Sequence, residues 1–541
     1  MDFETGRDHR FRLRPEERLA REQGTVVKDW GGRLPIALVY PNSYYLGMSN
    51  LGIHALYRFL NNSEDIVAER VFWEPIRQAQ GRPVRQAQGR LEARDKRLGP
   101  LSVESQRPLP DFAVLAFSIS YELDYFNIAP ILKSGGIPVF AAERDERHPL
   151  IIAGGPCVTA NPMPLSPFFD CLCIGEAESI LPKLLPVLSG GIGGPRDDLL
   201  KSLARIPGVY VPRYAAPVQR QWTKNLDEFP VTSAVLTPDT EFGDMYLMEV
   251  ERGCKWRCRF CLVGTAFSPM RYRSLGKLLE MAKEGLKYHK RLGLVGPAVS
   301  DHPQLEQLLV SLREMGAQFA VSSLRVSSLS DRALEEIVRG GAETITIAPE
   351  AGSQRLREAI RKGICEEDIL GAMGKIADLS VKQVKLYFMI GLPSETDDDI
   401  EEIINLTLKC KEIFETRRSG TRLTLNIAPF VPKAGTSFQR FPAAPVKTLD
   451  ERIARLKDRL MPQGIKLKME SPPWSEVQAV LSRGDASVAK VLADIEKPSL
   501  SAWRRAVAKY DLDVDFYAHQ EWGAEEKVVW GVLYNRQNQD V

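Results

Sequence analysis

Three cysteines stand at a Cys-x3-Cys-x2-Cys spacing in Arg252-Gly253-Cys254-Lys255-Trp256-Arg257-Cys258-Arg259-Phe260-Cys261. Thiolate is the usual protein ligand of iron–sulfur clusters, so three of them can hold three irons of a [4Fe–4S] cube. The fourth iron then lacks a protein ligand and can bind and reduce a small molecule. A cube held by protein at all four irons mostly carries electrons, so this spacing points to chemistry at the cluster. A zinc site needs four ligands, and no second Cys or His pair follows: Cys365 and Cys410 are lone and distant, and His289 and His302 have no cysteine near them. A disulfide framework does not suit a 541-residue chain with 8 cysteines, whose first residues show no basic-then-apolar signal pattern. Lys255, Arg257 and Arg259, set among the cysteines, are expected to favour their thiolate forms.

The elements that must position these cysteines follow from the apolar runs. The loop comes directly after Tyr246-Leu247-Met248-Glu249-Val250. From 244 to 440 six strand candidates, 245–250, 292–296, 317–322, 343–348, 382–389 and 421–428, alternate with helical stretches such as 275–289 and 398–414. Six βα units predict a partial, open (β/α)6 barrel of the TIM type, with its site at the carboxyl ends of the strands. The cysteine loop lands on that end. So do four later segments: Gly296-Pro297-Ala298-Val299-Ser300, Ser322-Ser323-Leu324-Arg325, Pro349-Glu350-Ala351-Gly352-Ser353, and Phe388-Met389-Ile390-Gly391-Leu392-Pro393-Ser394-Glu395-Thr396. An Arg in a barrel mouth needs an anionic partner, because unpaired burial is costly. Taken singly, each segment also reads as a strand-to-helix turn, a surface ion pair or, at Ser353, a helix N-cap.

Taken together, Cys254, Cys258 and Cys261, with Phe260 before the last cysteine and these segments in order on successive strands, resemble the signature of radical S-adenosylmethionine (SAM) enzymes. The resemblance implies that SAM chelates the open iron through its amino and carboxylate groups. An electron from the cluster then cleaves it to methionine and a 5'-deoxyadenosyl radical, which abstracts a substrate hydrogen. It further implies that the Gly296 segment offers backbone carbonyls to the SAM amino group, although Gly296-Pro297-Ala298 lacks the acid of the family's Gly-Gly-Glu. Ser323 and Arg325 would contact SAM, Arg325 at the carboxylate. Glu350 would accept from the ammonium or ribose, and the backbone near Ile390 and Gly391 would cradle the adenine. An electron donor such as flavodoxin or ferredoxin is implied as partner.

Residues 34–188 read as alternating strands and helices, with strands at 34–40, 112–117, 136–140, 150–153 and 171–174. That pattern predicts α/β architecture with a doubly wound, Rossmann-like parallel sheet, whose ligands sit at the carboxyl ends of the strands. Ala153-Gly154-Gly155-Pro156 and Gly175-Glu176-Ala177-Glu178 resemble the cobalamin-binding domain that precedes many radical SAM barrels, in which such glycines allow close approach of a bulky ligand. The Asp-x-His-x-x-Gly that supplies a cobalt ligand in many of these domains is missing. His54 lies on an apolar helical stretch and reads as a packed residue. Two readings stay open: cobalamin held without a protein histidine, or a domain that keeps the fold without the cofactor. The stretch 40–52 is also similar to that of a radical SAM subfamily carrying such an N-terminal domain, a likeness that spans most of 25–540 and brings no known substrate.

The remaining organisation is an N-terminal arm over 1–33, a connector over 189–243 with a Gly-rich break, and a C-terminal extension over 441–541 of mixed helical pattern, to which no chemistry attaches. Arg77-Gln78-Ala79-Gln80-Gly81-Arg82 recurs as Arg85-Gln86-Ala87-Gln88-Gly89-Arg90, a polar loop expansion. At 44% hydrophobic and 26% charged residues with net charge +2, the chain is ordinary globular material with no global electrostatic case for nucleic acid or an anionic membrane. No apolar run reaches the roughly 18 residues of a membrane span, and a reducing cytoplasm suits an oxygen-sensitive cluster. Three functions compete: a cobalamin-linked radical SAM enzyme, such as a methyltransferase; a cobalamin-independent radical SAM enzyme modifying RNA or protein; and a non-enzymatic iron–sulfur electron carrier.

Overall fold

The structure, a computed structural model, describes residues 15–74, 99–322, 324–379 and 381–534. The tandem repeat and Ser323 lie outside the described residues. The first sheet begins with β1 (Leu34–Tyr40), a nearly continuous apolar run, as expected of a strand covered on both faces. With β2 (Ile66–Phe72), β3 (Val114–Ser118), β4 (Leu150–Gly154), β5 (Cys171–Cys173) and β6 (Val209–Tyr210) it forms a sheet of order β2-β1-β3-β4-β5-β6. All pairs are parallel except β5 with β6. The strand order reverses between β1 and β3, the switch point at which doubly wound sheets bind ligands.

Two details differ from the sequence reading. Strand β2 was not anticipated, because Glu69 and Arg70 interrupt its apolar run. Arg70 is only 1% exposed, and pairs with Glu22 and Glu104 at 2.6 Å each while lying over the Tyr57 ring. Conversely, 136–140 is not a strand. Gly136 turns the chain at φ +67 and Pro138 has no N–H for a ladder, so the segment runs as a loop into a short turn at Ala141–Glu143. The first part of the connector is integrated into this lobe, where Leu199, Leu200, Leu203, Ile206 and Val209 are buried in its core, whereas residues 231–233 hydrogen-bond along 247–249 of the second lobe.

The second lobe contains two parallel sheets. One is ordered β12-β11-β8, from β8 (Tyr246–Glu249), β11 (Arg291–Val295) and β12 (Gln318–Val321). The other is ordered β13-β14-β15-β16, from β13 (Thr344–Glu350), β14 (Gln383–Ile390), β15 (Arg422–Pro429) and β16 (Lys466–Met469). A parallel bridge, Leu324 with Ile347, joins them. Among the described residues β8 and β16 do not pair, so the barrel stays open there. The six strands read from the sequence are present. The seventh, β16, was missed because Lys466-Leu467-Lys468-Met469 is a short run broken by charge. Alternate residues such as Val384, Leu386, Phe388 and Ile390 pack outward into one core with the surrounding helices, which leaves their neighbours on the concave side.

The C-terminal region returns to the first lobe. Helices Pro472–Arg483, Val488–Asp494 and Leu500–Tyr510 bury Val480, Leu492 and Trp503 in one core with Phe117, Phe126 and Phe169. Phe126 meets Trp474 and Trp503 edge-on at 5.9 and 5.8 Å, and strands β7 (Val218–Gln219) and β17 (Leu533–Tyr534) pair in parallel. No helix among the described residues is long and apolar enough to cross a membrane.

Candidate functional site

The cysteine loop leaves β8 through β9 (Glu251–Arg252), which pairs antiparallel with β10 (Arg271–Tyr272) and closes the base of the loop. Gly253 turns the chain at φ +83. A Cβ there would lie 2.5 Å from the Phe267 carbonyl oxygen, so glycine is required on both counts. The Cys261 N–H donates to the Cys258 carbonyl at 3.0 Å. Arg259 ties the loop across the barrel mouth: its N–H donates to Ile360 O at 3.0 Å, its carbonyl accepts from the Phe438 N–H at 3.1 Å, and its guanidinium donates to Ala359 O at 3.0 Å. Phe260 packs against the cluster of Ala351, Leu356, Leu392, Phe430 and Phe438. The aromatic before the last cysteine thus anchors the loop to the ends of the opposite strands.

Cys254, Cys258 and Cys261 are partly exposed, and none forms a disulfide. Burial pushes all three thiols up, Cys261 to about 11. This corrects the expectation that Lys255, Arg257 and Arg259 would favour thiolates. Lys255 sits 3.4 Å from Asp301, and Arg259 is spent on Ala359. The cations that oppose the effect of burial come from other elements: Lys362 and Arg325 at Cys258, and Arg325 at Cys254. Among the described residues no three His, Cys, Asp or Glu side chains converge as ligands of one ion. A cubane offers a separate iron to each thiolate, so its ligands need not converge.

Arg325, from the segment after β12, is 8% exposed. Its guanidinium stacks 3.7 Å above the Trp256 ring, its Nε donates to Ser327 Oγ at 3.0 Å, and its backbone N–H donates to Ser300 Oγ at 2.8 Å. The Arg325 Nη2 is buried without a hydrogen-bond partner. The Trp256 indole N–H in turn donates to Asp301, so Arg325, Trp256 and Asp301 form one stack inside the cysteine loop. On β9, Glu251 is 1% exposed. Its Oε1 accepts from the Ala298 N–H at 2.6 Å, while Oε2 is buried without a partner. Burial pushes its carboxyl up to about 7. Asp301 Oδ1 also lacks a hydrogen bond but lies 3.4 Å from Lys255 Nζ, which leaves one guanidinium donor and one carboxylate acceptor beside the cysteines with neither a hydrogen bond nor an ion-pair partner.

Gly296 lies against Glu251: a Cβ there would come within 2.7 Å of Glu251 Cγ. Its carbonyl accepts from Ser322 Oγ at 2.9 Å, and its N–H donates back to that oxygen at 3.1 Å. Glu350 sits at the end of β13 with φ +69, and its Oε1 accepts from Lys362 at 3.0 Å. The same Lys362 acts on Cys258, so the pair belongs to the cysteine surroundings. At the end of β14 the Ile390 carbonyl accepts from the Phe430 N–H at 2.8 Å, and the Gly391 N–H donates to Glu395. Glu395 of the Gly-Leu-Pro-x-Glu-Thr segment thus fixes the turn. Ser353 is an N-cap, accepting from the Leu356 N–H at 3.2 Å. Sequence reasoning missed Glu251, Trp256, Asp301 and Lys362. A charge inside the apolar run after the first strand was the available signal for Glu251; Lys362 gave none.

A second feature lies at the carboxyl ends of β1, β3, β4 and β5. A cavity of roughly 530 Å³ opens there on one face of the first sheet, walled by Leu38, Ser118, Gly154 and Cys173 and, from the barrel, by Arg252 and Phe267. Gly155 and Gly175 belong to its wall, but chain packing explains them: a Cβ would meet Ile119 O at 2.3 Å and Gln221 O at 2.0 Å respectively. His54 is not part of this wall. Its Nε2 bonds Met48 O at 2.9 Å, its Nδ1 accepts from the Ala234 N–H at 3.1 Å, and burial lowers it to about 4. It is the packed residue the sequence suggested. Ion pairs connect the cavity to the cysteine loop: Arg252 binds Glu176, Glu178 and Glu249 at 2.9 Å each, and Arg271 binds Glu176 at 2.6 Å.

Parallel sheets, a half-open barrel and three cysteines after its first strand define a class of protein, and this chain belongs to the radical SAM superfamily. The family described as "Radical SAM superfamily" matches residues 248–407, and "Radical SAM proteins, N-terminal" matches 52–212. Its relatives include the uncharacterized protein MJ0966 of Methanocaldococcus jannaschii, 32% identical over 92% of this chain and 97% of the relative. The uncharacterized methyltransferase PH0819 of Pyrococcus horikoshii is 25% identical over 58% of this chain and 68% of that protein. Among solved structures, the cobalamin-dependent S-adenosylmethionine radical enzyme OxsB, with aqua-cobalamin and S-adenosylmethionine bound, aligns over 90% of this chain and 72% of its own with a TM-score of 0.48 and 13% identity.

Proposed function

We propose that this chain reductively cleaves SAM at a [4Fe–4S] cluster held by Cys254, Cys258 and Cys261, and directs the resulting radical to a substrate in the barrel. The observation that carries this reading is the pair of orphaned atoms beside the cysteines, Arg325 Nη2 and Glu251 Oε2. An α-amino acid carries one carboxylate and one ammonium, and these atoms complement that pair. Buried polar groups are costly when unpaired, so both are expected to be satisfied on binding. When bound, the cluster and SAM together supply one-electron cleavage of the sulfonium carbon–sulfur bond. The chain's residues bind and orient. Trp256 holds the Arg325 plane from one face, Ser322 fixes the Gly296 carbonyl, and Lys362 is neutralised by Glu350. Glu251 takes the place of the acid missing from Gly296-Pro297-Ala298. The electron is supplied by a donor such as flavodoxin or ferredoxin.

The cavity in the first lobe supports cobalamin as a second cofactor. It is mostly apolar, lies where doubly wound sheets bind ligands, and adjoins Arg252 at the base of the cysteine loop. Its walls contain no histidine among the described residues, so cobalamin would be held without a protein ligand to cobalt. Methyl transfer is the reaction this pairing favours, and the P. horikoshii relative carries the name methyltransferase.

Anaerobic reconstitution followed by dithionite tests the reading. The chain should yield methionine and 5'-deoxyadenosine from SAM, and Cys254→Ala, Cys258→Ala or Cys261→Ala should each abolish both the products and the brown chromophore. A fully iron-loaded single variant would contradict the ligand assignment. Protein made with cobalamin supplied should carry its visible absorption; protein that stays colourless in that region after cluster removal would eliminate the cobalamin reading alone.

A further inference from the structure

The concave side of the barrel is chemically two-sided. On β8, β11 and β12 its mid-strand inward positions are Leu247, Gly293, Val295 and Ala320, small or apolar, and Glu249 at the end of β8 is held by Arg252 and Arg273. On β14, β15 and β16 the mid-strand inward positions are polar, with apolar Met389 and Ala428 only toward the mouth. Strand parity fixes this assignment: Leu386, Phe388, Leu425 and Ile427 enter the outer core, and Leu467 and Met469 pack against it, so Lys385, Tyr387, Asn426 and Lys468 project to the other face. The register aligns Tyr387 with Asn426 and Asn426 with Lys468, a row across three adjacent strands. Lys385 lies one pleat deeper on β14.

These four side chains have no hydrogen-bond or ion-pair partner among the described residues. Of the carboxylates nearer the mouth, Glu249 is engaged by Arg252 and Arg273 and Glu350 by Lys362. Glu470, two residues beyond Lys468, forms no ion pair with it. A tyrosine on the inner face of a central barrel strand would ordinarily be packed, yet Tyr387 is 41% exposed, so the lumen beside it is open. Lysine on an edge strand such as β16 can simply discourage strand pairing, but that does not explain Lys385 and Tyr387 on β14. Met389, two residues above Tyr387, packs against the same aromatic cluster as Phe260. The polar row therefore lies only about 7 Å below the level of the cysteine loop, at roughly 3.3 Å per residue.

We infer that the inner face of β14–β16 is the recognition wall for a phosphate-bearing substrate, with Lys385 and Lys468 supplying charge and Tyr387 and Asn426 supplying directed hydrogen bonds. Two ammonium groups and two neutral donors suit a tetrahedral oxyanion, and the apolar opposite wall suits the rest of the molecule. The inference rests on the proposed function, because a ligand in the lumen is a substrate only if radical chemistry occurs at its rim.

The test uses the reconstituted full chain and inorganic pyrophosphate as probe, titrated calorimetrically. Wild type should bind it, more weakly as salt is added. The double variant Lys385→Gln/Lys468→Gln should bind at least about tenfold more weakly, and Tyr387→Phe should fall between the two. Lys490→Gln/Lys497→Gln, which removes the same charge from an exposed part of the C-terminal region, should behave as wild type. Equal weakening in both double variants, no weakening in either, or no binding to wild type at millimolar pyrophosphate would overturn the inference. SAM cleavage measured on the same wild-type sample separates the two ideas: its absence defeats the proposed function, whereas the pyrophosphate comparison bears on the wall alone.

Discussion

Arg325→Ala is the substitution that bears most directly on the site. In the structure this guanidinium has three engagements of its own, the Trp256 face at 3.7 Å, Ser327 at 3.0 Å and the Cys258 thiol, and one idle buried nitrogen. A hydrogen bond to a charged group contributes about 1.5–3 kcal/mol. If Nη2 meets the SAM carboxylate, removing it should weaken SAM binding about 10- to 150-fold, since about 1.4 kcal/mol is tenfold. Arg325→Lys keeps the charge but loses the plane that stacks on Trp256, so it should recover only part of the loss. Glu251→Gln, which is isosteric, should weaken SAM by a comparable factor through the ammonium. The two groups read different ends of the same amino acid, so a ligand lacking the carboxylate charge, such as the methyl ester of S-adenosylhomocysteine, should be insensitive to Arg325→Ala yet remain sensitive to Glu251→Gln. The assay is anaerobic calorimetry with iron content measured on each sample. A SAM affinity unchanged in Arg325→Ala, with full iron, would refute the reasoning.

Three further outcomes are expected. Gly253→Ala forces a Cβ to within 2.5 Å of a carbonyl oxygen at φ +83, so the loop should shift and iron per chain should fall well below wild type while the rest of the protein stays folded by circular dichroism. His54 is lowered from 6.5 to about 4 by burial; because only the unfolded chain then takes up the proton, stability should be highest above pH 6.5 and fall as pH drops towards 4, by up to about 3 kcal/mol. Thermal melts across pH 7 to 5 would show this, and a slope unchanged in His54→Gln would exclude it. Arg70→Met leaves Glu22 and Glu104 without their buried cation and should cost about 3–5 kcal/mol in chemical denaturation, whereas a loss under about 1 kcal/mol would show that the carboxylates protonate or reach water.

The cysteine loop and the strands that carry the site were legible because each signal was local. Tyr246–Val250 is an apolar run, the cysteines follow it at fixed spacing, and the later segments end strands of the same kind. What escaped the sequence was whatever depends on distant residues meeting. Arg325 was visible as a charge in a barrel mouth, but its stack on Trp256 joins residues 69 positions apart, and the Lys362 that acts on Cys258 lies in an unremarkable helix-to-loop stretch. The basic residues inside the loop misled for the same reason: proximity along the chain put Lys255 next to Cys254, while folding gave it to Asp301. Strand β2 hid because its buried Arg70 is intelligible only once Glu22 and Glu104 are placed beside it. Residues 136–140 looked like a strand by composition, and Gly136 and Pro138 together decided otherwise.

The return of the C-terminal helices to the first sheet has a consequence for biosynthesis. The layer that carries Phe117, Phe126 and Phe169 is not covered until Trp474, Trp503 and their neighbours arrive, after the whole barrel has been made. At roughly 5–20 residues per second, the N-terminal lobe therefore waits on the order of tens of seconds on the ribosome with an apolar flank bare. That interval exposes the nascent chain to chaperone capture, and truncating the last helices should harm the N-terminal sheet before it harms the cysteine loop.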